Sequence, residues 1–487
     1  MRIGQTSFVY FLSKIVVSVV GLLATLYFAR KLGAGVLGVY FLILALVSWL
    51  KLAGEMGIGG ALSKRISEGT EPNAYIVTGA IVVGTLTTAM LVGLAVFSPW
   101  IVSYVGHPDA PIFLAALVVV NLLYGYTAAV LKGQRLVHLV AGISTTQTVS
   151  RVTFQIAAVF IGYQLLGLIV GLIMGSILAS VLGLVVVIRS LDDRPSPRQW
   201  SYRHVKSLVS YAKYSWLGGV RGRSFSWVDV LVLGLFVPSN LIGVYSIAWN
   251  IASFLNIFGA AIRNSVFPEI SKIAADDDTE RVSGLITDAL SFGGLILIPG
   301  LIGGVLIGDR LLRIYGSEFV QGTTVLGLLI LSVLIYDYQM QFTNALNAID
   351  RPDLSFRVNA VFIGGNAVLN VGLIYLYGWI GAAIATVCSA IIGLIGAVYY
   401  LRCEIDFRIP VHEITLQWIA AILMGGVVYT ALQIAQTYQL FTYNVVEVLT
   451  IAGLGAVVYF TVLLAISSQF RTVVRNNSPV EIPGLAP

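Results

Sequence analysis

The 487-residue chain is 57% hydrophobic and only 11% charged, with a mean hydropathy of +0.90, whereas about 25% of a soluble domain is charged. It is therefore an integral membrane protein, and its long, unalternating apolar runs make the spans helices rather than barrel strands. The net charge of +6 follows from loop topology and is no signature of nucleic-acid binding.

A helix needs about 20 mostly apolar residues to cross the hydrocarbon core, which places spans near 7–30, 36–53, 74–98, 110–131, 139–161 and 165–188. The first run lacks a small-residue cleavage site and is followed at once by another span, so it reads as a retained helix, not a signal peptide. Positions i, i+4, i+7 and i+11 share a helix face. In span 1 they are Lys14, Ser18, Gly21 and Thr25, and in span 5 Ser144, Thr148, Arg151 and Gln155. Residues 190–206, "SLDDRPSPRQWSYRHVK", read as a cytoplasmic linker between lobes that lies on the anionic inner surface; glycan-assembly enzymes are candidate partners of the protein, with no sequence feature that marks where they dock.

Eight more spans follow near 208–236, 240–263, 285–307, 321–347, 357–377, 380–401, 414–436 and 444–466, fourteen in all. Span 7 carries Lys213, Arg221, Arg223 and Asp229. On a straight helix Arg223 lies about 200° from Arg221, so both face one cavity only if Gly218, Gly219 and Gly222 permit a bend. Asp229 is then a neighbour that holds an arginine in place. Span 10 aligns Asp337, Gln341 and Asn344, and span 11 aligns Asn359, Asn366 and Asn370. Cys388 and Cys403 are too few and too poorly placed for a disulfide framework. No connection exceeds about twenty residues, a length with no room for a soluble domain, so the protein's work is done in the membrane.

With the N-terminus in the cytoplasm, 20 of the 29 lysines and arginines fall in inner segments, Arg263 among them, and four (Arg30, Lys31, Arg310 and Arg313) fall outside. This is the bias that the positive-inside rule requires. The C-terminus is then cytoplasmic as well.

An internal repeat underlies the spans. "GVLGVYFLILA" (35–45) and "NLIGVYSIAWN" (240–250) share Gly-Val-Tyr at an offset of 205. "LLGLIVGLIMGS" (165–176) resembles "WIGAAIATVCSA" (379–390) at an offset of 214, and Arg135 and Arg351 open the spans before them. Spans 1–6 thus match spans 7–12 as parallel halves, and transporters so built hold substrate between halves and alternate access. The domains are an N-lobe at 1–189, the linker at 190–206, a C-lobe at 207–402, and two further spans with a short tail at 403–487.

The hydroxyls and amides of the stripes read first as glue between helices. Charges are different, because an ionised group at mid-bilayer costs at least ~2.5–3.5 kcal/mol and faces a partner or a wet cavity. Lys213 is close enough to the inner surface to snorkel. Lys14, Arg151, Lys213, Arg221 and Arg223 stand against Asp229 and Asp337, an excess of three cations. Pairing alone cannot neutralise that set, and Arg suits a phosphate through its planar fork of donors.

"FARKLGAGVLGVYFLILALVSWLKLAGEMGIGGALSKRISEG", "VDVLVLGLFVPSNLIGVYSIAWNIA" and "NAVLNVGLIYLYGWIGAAIATVCSA" resemble the polysaccharide flippase branch of the multidrug/oligosaccharidyl-lipid/polysaccharide exporter superfamily. The likeness covers residues 1 to about 400, the last two spans matching in hydropathy alone. It implies an all-helical, MATE-like fold of two six-helix lobes in a V, with helices 1, 2, 7 and 8 lining a cavity. It also implies translocation of an isoprenoid phosphate- or diphosphate-linked sugar, with no cofactor and with proton or sodium coupling left open. In relatives that flip cell-wall precursor, cations on the first helix of each lobe are thought to hold the phosphate. Lys14 and the Arg221/Arg223 pair occupy comparable places, 24 residues before Gly38 and 22 (from Arg221) before Gly243. The drug-exporting branch tends to carry an acid in its first helix, where this chain has Lys14. Asp337, with Gln341 and Asn344, is the first candidate for cation coupling, against a structural pair with Arg151.

Two rivals remain. A membrane glycosyltransferase or polymerase would need positioned acids or a metal site, yet His107, His138, His204 and His412 are scattered as interfacial residues without ligand spacing. An exporter of amphipathic small molecules shares the topology but leaves the intramembrane cations unexplained.

Overall fold

The computed structural model describes residues 3–191, 196, 199–274 and 278–477, with backbone alone for 3–17, 213–215, 217–219, 221, 264, 265, 279, 476 and 477. Two compact units divide the chain at Ser246 and Ile247. Twelve of the fourteen expected spans each fall within one helix to within a few residues at the ends, whereas those near 240–263 and 285–307 are each broken over two helices. Among the described residues ten helical runs are long and apolar enough to cross a membrane, and one bent pair makes eleven. A kink puts spans 1 and 2 into one run, and the helices of spans 5 and 7, which carry Arg151 and Lys213, Arg221 and Arg223, fall outside that count.

The first unit begins with α1 (Ile3–Glu55), which bends at Gly33 (φ 77°), so the expected loop between spans 1 and 2 is a kink. It continues with α2 (Ile58–Ser67), α3 (Pro72–Val96), α4 (Ser98–Val105), α5 (Ala110–Gly133), α6 (Val137–Ile161), α7 (Leu165–Arg189) and α8 (Tyr202–Phe236), and runs into α9 (Ser239–Phe254). Leu62 and Ile66 of α2, Val130 and Leu131 of α5, Val187 of α7 and Leu208 and Ala212 of α8 form one buried cluster. Gly57 (φ 78°) breaks the chain before α2 in the left-handed region and admits α8 at close range, since a Cβ there would overlap the Ala212 carbonyl. Span 7 therefore docks on the first unit.

The second unit holds α10 (Ile257–Ala274), α11 (Thr279–Gly293), α12 (Leu297–Tyr315), α13 (Thr323–Ala348), α14 (Pro352–Tyr377), α15 (Trp379–Glu404), α16 (Val411–Thr437), α17 (Asn444–Ile466) and α18 (Ser468–Asn477). Its cluster of Ile270, Ile273, Ile286, Phe342, Leu346, Leu354 and Leu401 draws on α10, α11, α13, α14 and α15. Spans 13 and 14 are pinned to this unit at several points. Arg310 Nε donates to Glu447 at 2.8 Å, Asn444 donates to the Arg310 carbonyl at 2.6 Å, and Gln417 to the Ser291 carbonyl at 2.5 Å.

The repeat is visible in backbone detail. The turn after α5 has Arg135 in the left-handed region (φ 64°) and a Leu136 N–H bonded to Leu131; the turn after α13 has Asp350 (φ 62°) and Arg351 N–H bonded to Leu346. The register here is 215 residues, so Arg135 corresponds to Asp350 rather than Arg351. In α7, Gly167, Gly171 and Gly175 stand four apart and face α6, where a Cβ at Gly175 would lie 2.8 Å from the Arg151 Cα and one at Gly171 2.6 Å from the Gln155 nitrogen. Close backbone approach through small residues four apart is how membrane helices associate. Gly175→Val is expected to cost about 1–3 kcal/mol, read as a lower melting midpoint in detergent, whereas Gly142→Val, whose Cβ meets open space, leaves the midpoint unchanged.

Candidate functional site

In the first unit the span 5 stripe leads to a polar centre. Gln155 is 2% exposed; its amide donates to the Leu168 carbonyl at 2.9 Å and to the Tyr40 hydroxyl at 3.0 Å. Arg151 lies about one turn away on the same face of α6, its backbone clamped by Gly175. The Arg151 Nε is buried with no hydrogen-bond partner, and no ion pair among the described residues includes Arg151. A guanidinium so placed has donor capacity to spend on an anion.

Span 7 contributes differently. Arg223 Nε donates to the Ser48 carbonyl at 2.9 Å, strapping α8 to α1. Asp229 is buried and accepts a hydrogen bond from the Tyr245 hydroxyl. The side chains of Lys14, Lys213 and Arg221 lie outside the described residues. Tyr40 and Tyr245 are the tyrosines of the repeated Gly-Val-Tyr, so in each copy this residue reaches a polar side chain within the spans. Sequence reading marked the motif as a repeat and missed that role.

In the second unit Asp337 is fully buried and ion-paired with Arg263, whose side chain is 10% exposed. Gln341 donates to Asp337 at 3.4 Å, and Arg263 also reaches Asn256 at 3.5 Å. Gly259 makes room for this, since a Cβ there would overlap the Asp337 carboxylate. Asn344 lines a small crevice with Arg263 and Gln341. Two expectations are corrected here: Arg263 is a buried cation rather than an inner-loop one, and Asp337 pairs with Arg263 rather than with Arg151. Asn366 and Asn370 of the span 11 stripe are buried in α14.

The hydroxyls of the stripes do less than expected between helices. Thr25 bonds to the Gly21 carbonyl at 2.7 Å and Thr148 to the Ser144 carbonyl at 3.1 Å, each within its own helix. Ser and Thr satisfy themselves in this way inside helices. A glue contact does form where Gln147 donates to Ser176 of α7 at 3.1 Å.

His204 stands near the start of α8, but its side chain is packed inside the protein. It is 4% exposed, 2.8 Å from Glu71 through Nε2, and edge-on to Tyr75. Hydrogen bonding from His204, with the Arg203 guanidinium beside it at 2.7 Å, holds the Glu71 carboxyl below the usual carboxylate range.

The polysaccharide biosynthesis protein family profile matches residues 3–274, and the MatE profile matches 223–376. A Haloferax volcanii protein named "Probable flippase AglR" is 32% identical over 475 residues, covering 96% of this chain and 97% of its own. The chain belongs to the polysaccharide biosynthesis protein family. A second Haloferax volcanii member, "Probable low-salt glycan biosynthesis flippase Agl15", is 26% identical and spans 88% of this chain and 90% of its own. Likeness to AglR runs through the last two spans, further than the sequence motifs alone reached. Among solved structures, the lipid II flippase MurJ in an inward closed conformation superposes with a TM-score of 0.79 at 17% identity, over 96% of this chain and all of that one. The likeness to MurJ shows the all-helical fold expected of the superfamily that the motifs resemble.

Proposed function

We propose that this family member carries an isoprenoid phosphate- or diphosphate-linked sugar from the cytoplasmic to the outer leaflet by alternating access, as a transporter and not an enzyme, for surface glycan assembly. The observation that carries the reading is Arg151, a guanidinium with a buried, unpartnered Nε inside a span, beside the Tyr40–Gln155 bond. Family membership and the flippase names of AglR and Agl15 support it. Arg151 holds the lipid phosphate, Lys14 and Arg221 add charge, and Arg223 positions α8 against α1. Asp337 with Arg263, Gln341 and Asn344 is the place where a coupling cation or proton would act. Both termini are cytoplasmic, and repeats 1–189 and 207–402 are the moving lobes.

Deleting the gene tests this. Lipid-linked saccharide is expected to accumulate in the inner leaflet while surface polymers lose their glycan. Normal glycans with new drug sensitivity would replace the reading with small-molecule export. A failure to build the lipid-linked sugar would make the protein an enzyme.

A further inference from the structure

Ala34 and Gly38 of α1 stand four residues apart, and so do Ser239 and Gly243 of α9. The second pair is the first moved on by the repeat offset of 205. A Cβ at Gly38 would overlap the Ser239 carbonyl oxygen, and one at Gly243 would overlap the Ala34 carbonyl oxygen. Each residue therefore meets the repeat counterpart of its partner's neighbour, the self-complementary pattern of a two-fold contact. Ala34 is 1% exposed and Leu37 1%. The contact follows directly on the two breaks, Gly33 and Val237–Pro238, that separate the first two spans of each repeat. With the N-terminus cytoplasmic, both breaks face outward.

We infer that this small-residue clasp is the outer closure of the transport path, made and broken in each cycle. Its chemistry suits a reversible contact. Backbone meets backbone with no side chain to disentangle, held by packing and weak Cα–H···O bonds that are cheap to part. Two residues beyond each glycine the tyrosine of the same motif binds a polar group inside the spans, Gln155 for Tyr40 and Asp229 for Tyr245. Gln155 shares its helix face with Arg151. Closure at the clasp is thereby tied to the residue assigned to the lipid phosphate, and the inference rests on the flippase reading for what passes through.

The test is external thiol labelling of Ala34→Cys in the full chain in cells, with Cys388→Ala and Cys403→Ala as background and a membrane-impermeant maleimide as probe. Labelling is expected to be slow at rest, and to fall by about fivefold when synthesis of lipid-linked sugar is blocked, because an opening equilibrium follows its ligand. Gly38→Val and Gly243→Ala, which cannot close the clasp, are expected to raise labelling by about tenfold or more. Gly35→Val, whose side chain meets open space, leaves it unchanged and serves as the folding control. Labelling that is insensitive to both sugar supply and the clasp substitutions would overturn the inference and make the contact static packing. Sensitivity to the clasp substitutions with no response to sugar supply, in a strain whose deletion leaves glycans normal, would keep the gate and remove the flippase reading.

Discussion

Arg151→Ala is expected to lower flipping of lipid-linked sugar about 30-fold to 5000-fold, the range that corresponds to truncating one partner of a buried charged hydrogen bond, while the protein still inserts and accumulates. Deletion here leaves no protein carboxylate stranded among the described residues, because none pairs with Arg151, so stability has little to lose. Arg151→Lys keeps the charge but not the fork of donors, and falls between. Arg223→Ala behaves otherwise: it frees the Ser48 carbonyl that Arg223 holds at 2.9 Å, and its loss of transport comes with weaker docking of α8 on α1. Glycan transfer in cells, set against protein abundance in the membrane, separates the two. Full transport by an Arg151→Ala protein would remove Arg151 from the phosphate site and leave the flippase assignment to Lys14 and Arg221.

The spans were legible because a bilayer demands a hydrophobic run wherever a helix crosses, and that demand is local in sequence. Contacts through space were not. Gly38 and Gly243 announced a repeat, but nothing in either segment says that the two glycines meet each other's helices. Arg263 stands at the end of an apolar run, where sequence alone places an inner-loop cation; the break between Phe254 and Ile257 starts a new helix, and α10 carries Arg263 into contact with Asp337. Arg151 was legible as a cation at helical spacing from Gln155, whereas the packing of both residues' backbones against the glycines of α7 was not. That His204 is buried was not legible because its burial depends on Glu71 and Tyr75, some 130 residues earlier. Resemblance to the flippase branch supplied what the composition could not, the chemistry of the cargo.

The Arg263–Asp337 pair gives the sharpest expectation for stability. Asp337→Ala strands a guanidinium whose side chain is 10% exposed, and breaking a buried pair from one side costs about 3–5 kcal/mol. Arg263→Ala strands a carboxylic acid instead, which can be neutral, as a guanidinium cannot. The second variant is therefore expected to be the milder. Removing both charges, as Arg263→Gln with Asp337→Asn, leaves two amides beside Gln341 and Asn256 that can bond to one another, so the double variant melts closer to the parent than Asp337→Ala does. A double-mutant cycle in detergent built from Arg263→Gln, Asp337→Asn and their combination is expected to read a coupling of at least about 1 kcal/mol. Strict additivity would mean that the pair is not a unit, and the coupling role assigned to Asp337 would then lose its structural basis.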